Sequence, residues 1–339
     1  MRKVLIDENE LSRFTKERDI ASRSKALLDS QMAGWDFLKQ NYNNLKNVRT
    51  KKFEFDGFNI KIQNNPDRII SSTADVSGNT NLTDNSFLHH KNLPEEQKCI
   101  RYYKDYLILC NPYPIFPEHF TIPSVIQKPQ SIIEHVKDFL FLSRDMQKLY
   151  LVLYNGAKCG ASLPSHLHFQ AGTKNFMPID EEYNNIIKSH SRKIQFNKNL
   201  QFYFCGNYLR DFISIESGSV IELEKGFKLI HSILQKSYGF KGEPLINVLL
   251  YYLKNQWRMI IFPRDKHRPT YYFGEGKRQI IISPGAVDMG GVLILPREED
   301  FEKITKEIII DIYRQVSISK EFMEFVMIKV LNAKKSMNA

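Results

Sequence analysis

Asn155-Gly-Ala-Lys-Cys-Gly-Ala-Ser162-Leu-Pro-Ser-His166-Leu-His168-Phe-Gln170-Ala-Gly172 is the stretch whose reading decides the fold. At its centre stands His166-x-His168-x-Gln170. Side chains alternate along a strand, so a strand here sets both imidazoles and the amide on one face and sends Leu167 and Phe169 into the core. The preceding run Lys148-Leu-Tyr-Leu-Val-Leu-Tyr154 is apolar and β-prone, and Asn155-Gly156 with Gly160 breaks it. That pattern predicts strand, tight loop, strand. Unpaired N–H groups in a glycine-containing turn form an anion nest suited to phosphate oxygens, which makes Asn155, Gly160 and Ser162 candidate phosphate-binding residues.

Imidazole attacks phosphorus near neutral pH because its ordinary pKa, about 6.5, leaves much of it neutral and nucleophilic. His168 is the candidate nucleophile. Its neighbours on the face have separate tasks: His166 orders the loop, and Gln170 donates to a non-bridging phosphoryl oxygen. An amide neither protonates a leaving group nor activates water, so this set favours group transfer over hydrolysis. His-x-His on a strand is also compatible with a buried pair or a metal site. The adjoining Gly-Ala-Ser loop and the glutamine tilt the reading toward phosphorus chemistry.

On these residues the chain resembles the histidine-triad-like nucleotidyltransferases and phosphorylases, the group of galactose-1-phosphate uridylyltransferase, diadenosine tetraphosphate phosphorylase (ATP adenylyltransferase) and GDP-galactose phosphorylase. Gly160-Ala-Ser162 followed by His166-x-His168-x-Gln170 carries the resemblance, and His168-Phe-Gln-Ala171 is most similar to the last of these. It implies that His168 becomes covalently nucleotidylated, that Gln170 is the phosphoryl-oxygen donor, and that Ser162 contacts phosphate. Pro164-Ser165-His166 places one more residue between serine and first histidine than the uridylyltransferase pattern has. The implied partners are a nucleotide donor, either a nucleoside diphosphate sugar or a dinucleoside polyphosphate, and phosphate or a sugar phosphate as acceptor. Relatives often dimerise, so a homodimer is compatible with the resemblance.

Uridylyltransferase relatives carry a C-x-x-C zinc half-site where this chain has Ser86-Phe-Leu-His89, and their remaining ligands would here be His119 and His166. Both thiolates are gone, and a hydroxyl is a poor fourth zinc ligand. No metal is favoured, with His89, His119 and His166 as the candidates if zinc is bound, and no cofactor is required.

The fold expected is α+β: histidine-triad-like antiparallel sheets with flanking helices, in two related halves with the catalytic motif in the first. Residues 1–47 read as a helical N-terminal extension, with Leu28, Met32, Trp35, Leu38, Tyr42 and Leu45 on one apolar face. Residues 48–238 form the catalytic half and 239–339 the C-terminal half. Asp56-Gly57 between alternating Phe53, Phe55 and Phe58, Ile60, Ile62 signals a hairpin, where sheet construction is expected to start. Residues 73–85 read as a polar loop, 131–146 as a helix, 247–253 and 257–262 as a hairpin, and 298–314 and 319–333 as closing helices. Arg68, Arg264 and Arg268 are further candidates for phosphate, since guanidinium offers planar paired donors.

The 339 residues are 42% hydrophobic, enough for a large core, and carry a formal charge of +10. That charge favours anionic partners, yet the basic residues are spread out and form no block with interleaved aromatics, which argues against nucleic acid. A nucleotide- or RNA-binding protein without turnover is the alternative from another class, and a hydrolase using His119, His190 or His267 is the alternative within this chemistry. The four cysteines form no C-x-x-C pair, and the longest apolar run is too short to span a bilayer. A cytoplasmic setting without membrane contact is therefore expected.

Overall fold

The computed structural model describes residues 4–74, 86–239 and 242–338. The loop read over 73–85 falls mostly outside them. The N-terminal extension is three helices, α1 (Glu8–Leu11), α2 (Ile20–Gly34) and α3 (Asp36–Lys46). Asp19 caps α2 by accepting from the Ser22 N–H, and Trp35, in extended conformation, breaks the chain between α2 and α3. Leu28, Trp35, Leu38 and Tyr42 are buried, as the apolar face predicts.

The hairpin follows as β1 (Arg49–Glu54) and β2 (Asn59–Asn64). Phe55 N–H bonds the Phe58 carbonyl at 2.8 Å, and Gly57 supplies the left-handed φ of +79° that the turn requires. This hairpin does not start the main sheet. It forms a separate three-stranded sheet by pairing β2 in parallel with β13 (Val292–Leu295) from the far end of the chain. Local turn chemistry specifies the hairpin, whereas its third strand is a long-range choice that alternation cannot express. A short α4 (Ile69–Thr73) ends this segment.

Next come β3 (Cys99–Tyr102), β4 (Tyr106–Cys110), β5 (His119–Pro123), α5 (Val136–Met146), β6 (Tyr150–Asn155) and β7 (His168–Thr173), then α6 (Pro178–His190). The chain repeats the pattern as β8 (Ser191–Asn197), β9 (Leu200–Cys205), β10 (Phe212–Ser217), α7 (Val220–Tyr238), β11 (Ile246–Leu253) and β12 (Gln256–Pro263). Spatial order is β3-β4-β5-β7-β6 in the first set and, read from the opposite edge, β8-β9-β10-β12-β11 in the second. Both sets are therefore one topology, three antiparallel strands, a helix, and two strands that enter in reverse order. They meet where β6 pairs β11, with Leu153 opposite Leu249, so the two related halves share one ten-stranded antiparallel sheet. The strand pairing thus continues past Gly239, the left-handed cap that ends α7 near the expected boundary.

Each face of the sheet has its own core. One face packs Phe169, Val152, Ile213 and Met259 under α2, α5, α7 and α11 (Lys320–Asn338). The other packs Leu151, Leu153, Leu249 and Ile260 under the small sheet, α6, α8 (Ala286–Met289), α9 (Glu298–Lys303) and α10 (Lys306–Val316). The helix expected over 298–314 is two helices, because buried Ile304 leaves the helical path and Thr305 caps α10 by accepting from the Ile308 N–H. Among the described residues no helix is long and apolar enough to cross a membrane.

Candidate active site

His168 opens β7, and alternation along that strand works as the sequence predicts: Leu167, Phe169 and Ala171 enter the helix-covered core, while His168 and Gln170 take the opposite face. The matching face of β12 presents Arg258, Ile260 and Phe262, so the His-x-Gln pair belongs to the first half alone. His166 lies one step before the strand. Its Nδ1 meets the Ser86 hydroxyl at 2.6 Å and its Nε2 the Ser124 carbonyl at 2.7 Å. A carbonyl only accepts, so Nε2 carries the proton and Nδ1 takes the hydroxyl hydrogen. His166 is thus a buried brace joining the 86 and 124 segments to the loop.

The same rule fixes His168. Its Nδ1 sits 2.8 Å from the His166 carbonyl and must donate, which leaves Nε2 as a bare lone pair on a ring that lines a cavity. Burial, opposed by that hydrogen bond, pulls its pKa down to about 4. His119, on neighbouring β5, fixes the glutamine: its Nδ1 accepts from the Ile115 N–H at 3.2 Å, so its Nε2–H donates to Gln170 Oε1 at 3.0 Å. Gln170 then has its carbonyl turned to β5 and its NH₂ donors left for the cavity. Burial, helped by the charge of Arg68, holds His119 down at about 3, which keeps it neutral.

Two cavities meet at this point. The first, about 610 Å³, is largely apolar and is walled by Trp35, Phe37, Phe87 and Tyr113 together with His168. The second, about 50 Å³, is polar and includes Asn155, His267, Arg268, Ser283 and Asp288. Arg68, Ser71, Ser162 and Gln170 line both. The N-terminal helical extension is thereby part of the site, since the α2–α3 break places Trp35 and Phe37 in its wall.

Arg68 donates through one terminal nitrogen to the Tyr113 carbonyl at 2.8 Å. Burial lowers its pKa to about 10, so it stays charged at neutral pH. Arg268 donates to Ser283 Oγ and to the Ser72 and Ala74 carbonyls while its guanidinium covers the Tyr272 ring. Ser283 also meets His267 Nε2 at 3.0 Å. Arg264 is different. It is fully buried, and its donors reach the Val316, Pro284, Lys266 and His267 carbonyls and Asn247 Oδ1. It fastens the 263–268 segment under the cavity and does not line it.

The loop 155–165 also departs from the open nest its glycines suggest. Gly160 has φ +92°, and a Cβ there would lie 2.8 Å from Gly285 Cα, so this glycine allows two backbones to touch. Asn155 Oδ1 accepts from the Ala286 N–H at 2.7 Å and from Asn247 at 2.8 Å, tying the end of β6 to the 283–288 wall. Ser162 is the loop residue that reaches both cavities. The structure adds residues the motif does not reveal: His119 as the tether of Gln170, Gln130 beside His168, and the Ser283 to Asp288 wall, all far away in sequence. Asp288 accepts from the Gly285 and Ile294 N–H groups, and burial lifts its pKa to about 6.

His89, His119 and His166 are not brought together as zinc ligands. His119 and His166 commit both ring nitrogens to protein groups, and the described residues contain no cluster of three or more His, Cys, Asp or Glu fit for a metal. The residues present do not fit the implied zinc site.

Buried neutral histidines give a pH signature. Unfolded, His168, His119 and His267 titrate near 6.5, whereas burial holds them at about 4, about 3 and about 3 in the fold. Below pH ~6.5 the unfolded chain takes up protons that the native chain refuses. Their contribution to stability is therefore complete above that pH and lost as the pH falls through the folded values. Urea midpoints measured from pH 7 downward should decline from about 6.5; midpoints that rise on acidification would contradict neutral burial.

Residues 27–173 match the family model "Domain of unknown function (DUF4922)", and residues 187–336 match "GDPGP1-like, C-terminal domain". No functionally curated protein matches the chain significantly in sequence. Among solved structures, yeast Ap4A phosphorylase Apa2 in complex with Ap4A aligns with a TM-score of 0.58 at 13% identity, over 87% of this chain and 97% of that one. The same yeast enzyme in complex with AMP aligns at 0.54 and 17% identity, over 86% and 96%. The chain thus matches the DUF4922 model over 27–173 and the GDPGP1-like C-terminal model over 187–336, on a fold shared with yeast Ap4A phosphorylase Apa2.

Proposed function

We propose that this protein is a nucleotidyltransferase of the phosphorylase type, working through a nucleotidyl-histidine. One observation carries the reading: at the junction of an apolar and a polar cavity stand a neutral imidazole with its Nε2 lone pair bare and an amide whose NH₂ is directed by a fixed carbonyl. The apolar cavity, with its aromatic walls, suits a nucleobase. Arg68, Ser162 and Gln170 at the junction suit the phosphates next to it. The solved relative's complexes with Ap4A and AMP support a nucleotide as donor, and the GDPGP1-like half keeps a nucleoside diphosphate sugar as an equal candidate.

In the first step His168 Nε2 attacks the α-phosphorus. The P–N bond forms as the bond to the bridging oxygen breaks, and the electron pair leaves with that oxygen on a nucleoside triphosphate or a sugar phosphate. Gln170 NH₂ bonds a non-bridging oxygen as charge builds on it. In the second step an acceptor phosphate oxygen attacks, and the electron pair of the P–N bond returns to Nε2. The polar cavity, lined by Asn155, Ser162, Arg268 and Ser283, suits the oxygens of the acceptor phosphate. Hydrolysis is disfavoured because His119 tethers Gln170, His267 bonds Ser283, and His190, near Gly57, lines neither cavity. No step needs a metal.

Initial-rate kinetics with a dinucleoside tetraphosphate or a nucleoside diphosphate sugar, varied against phosphate, test this. Parallel double-reciprocal lines are expected, since the first product leaves before the acceptor binds. Intersecting lines would sink the covalent route.

A further inference from the structure

The pairing of β6 with β7 stops short of the site. The ladder runs from Tyr150 opposite Thr173 to Leu153 opposite Gln170 and ends there, so the next two positions in register, Tyr154 with Phe169 and Asn155 with His168, are not paired. The gap is filled by a side chain from the segment before α5. Gln130 Oε1 accepts the His168 N–H at 2.8 Å, and Gln130 Nε2 donates to the His168 carbonyl at 3.0 Å and to the Asn155 carbonyl at 2.8 Å. The side chain is buried, 3% exposed. Its own backbone N–H bonds the Pro164 carbonyl, and the neighbouring Lys128 carbonyl takes the Leu167 N–H.

We propose that Gln130 is the positioning residue of the site: its carboxamide replaces the missing rung between β6 and β7 and sets where the His168 ring stands. The inference rests on the reading of His168 as nucleophile. Two adjacent antiparallel strands that kept their pairing would hold Asn155 and His168 at ordinary strand spacing, ~4.7–4.9 Å. Inserting an amide spreads them at the one place where the site needs room, while the His168 N–H and the His168 and Asn155 carbonyls find their partners in it. The same three bonds bracket the backbone of His168 and the first residue of the loop that carries Ser162. Nucleophile and phosphate-contacting loop are therefore registered to each other through one side chain.

A glutamine that merely satisfied buried groups would affect stability alone, whereas a positioning residue must also affect the ring. Single-turnover labelling of His168 by donor separates the two. Gln130→Leu should slow labelling by roughly 10²-fold, the cost of a misplacement near 1 Å, with KM for the donor nearly unchanged. Gln130→Glu gives a sharper sign. Its carboxylate still accepts from the His168 N–H but faces two carbonyl oxygens, and protonation restores one donor. Its labelling rate relative to wild type should therefore climb as the pH falls from about 8 toward 5, because those oxygens raise the carboxyl pKa. His166, His168, Lys128 and Glu243, the titratable groups around this segment, are common to both proteins, so the ratio isolates the introduced carboxyl.

¹⁵N spectra of histidine-labelled protein read the ring without turnover. Wild type should show the Nδ1–H tautomer at His168 and Gln130→Leu a mixture. If Gln130→Leu fails to fold, the acid recovery of Gln130→Glu decides. A Gln130→Glu ratio independent of pH, or a Gln130→Leu protein with wild-type labelling rate and tautomer, would overturn the role. A tautomer shift in Gln130→Leu with no donor label on wild type supports positioning and sinks the transfer reading instead.

Discussion

His168→Ala is expected to lose turnover on the order of 10⁶-fold, the scale seen when a covalent nucleophile is removed. The change removes the Nε2 lone pair and with it both half-reactions. It should leave the fold intact, because the ring makes one side-chain hydrogen bond, to the His166 carbonyl two residues away, and faces a cavity and not the core. Truncation widens that cavity and leaves Leu167 and Phe169 packed as before. Turnover, circular dichroism and the urea midpoint measured on one preparation check this. A variant that folds and still turns over at near wild-type rate would show that another group attacks phosphorus.

Gln170→Ala should lower kcat by roughly 10²- to 10³-fold, the effect of losing one preorganised donor to a developing oxyanion. His119 makes the expectation specific. By donating to Gln170 Oε1 it holds the amide with its NH₂ toward the cavity, so on the proposed mechanism no rotation is needed as charge develops. His119→Leu should therefore act in the same direction and less strongly, with Gln170 present but free to turn. A change confined to KM in Gln170→Ala would make the amide a ground-state contact.

The shared face of His168 and Gln170 was legible because alternation is local: the two take one side of the strand whatever surrounds them, and Leu167 and Phe169 confirm its phase. The Asp56-Gly57 hairpin was legible for the same reason. The tautomers were not. They depend on the Ser124 and His166 carbonyls and on the Ile115 N–H, groups that only tertiary structure brings to the rings. Arg264 looked like a phosphate ligand because guanidinium offers planar paired donors, yet burial at 1% exposure turns them onto protein oxygens. Arg68 and Arg268 do line the cavities. The glycines of the loop read as an anion nest, but Gly160 is needed for its contact with Gly285, over a hundred residues away. Gln130 carries no sequence signal at all, since a lone glutamine before a helix has no spacing to a motif.

The covalent intermediate is the central claim, and intact-protein mass spectrometry tests it most directly. Wild type incubated with a dinucleoside tetraphosphate or a nucleoside diphosphate sugar, without acceptor, should gain the mass of one nucleotidyl group, a nucleoside monophosphate less one water. Peptide mapping should place it on His168 as a phosphoramidate, stable to base and labile to acid, and inorganic phosphate should discharge it with release of a nucleoside diphosphate. Turnover of either donor with no adduct at any time, or an adduct on a residue other than His168, would contradict the account.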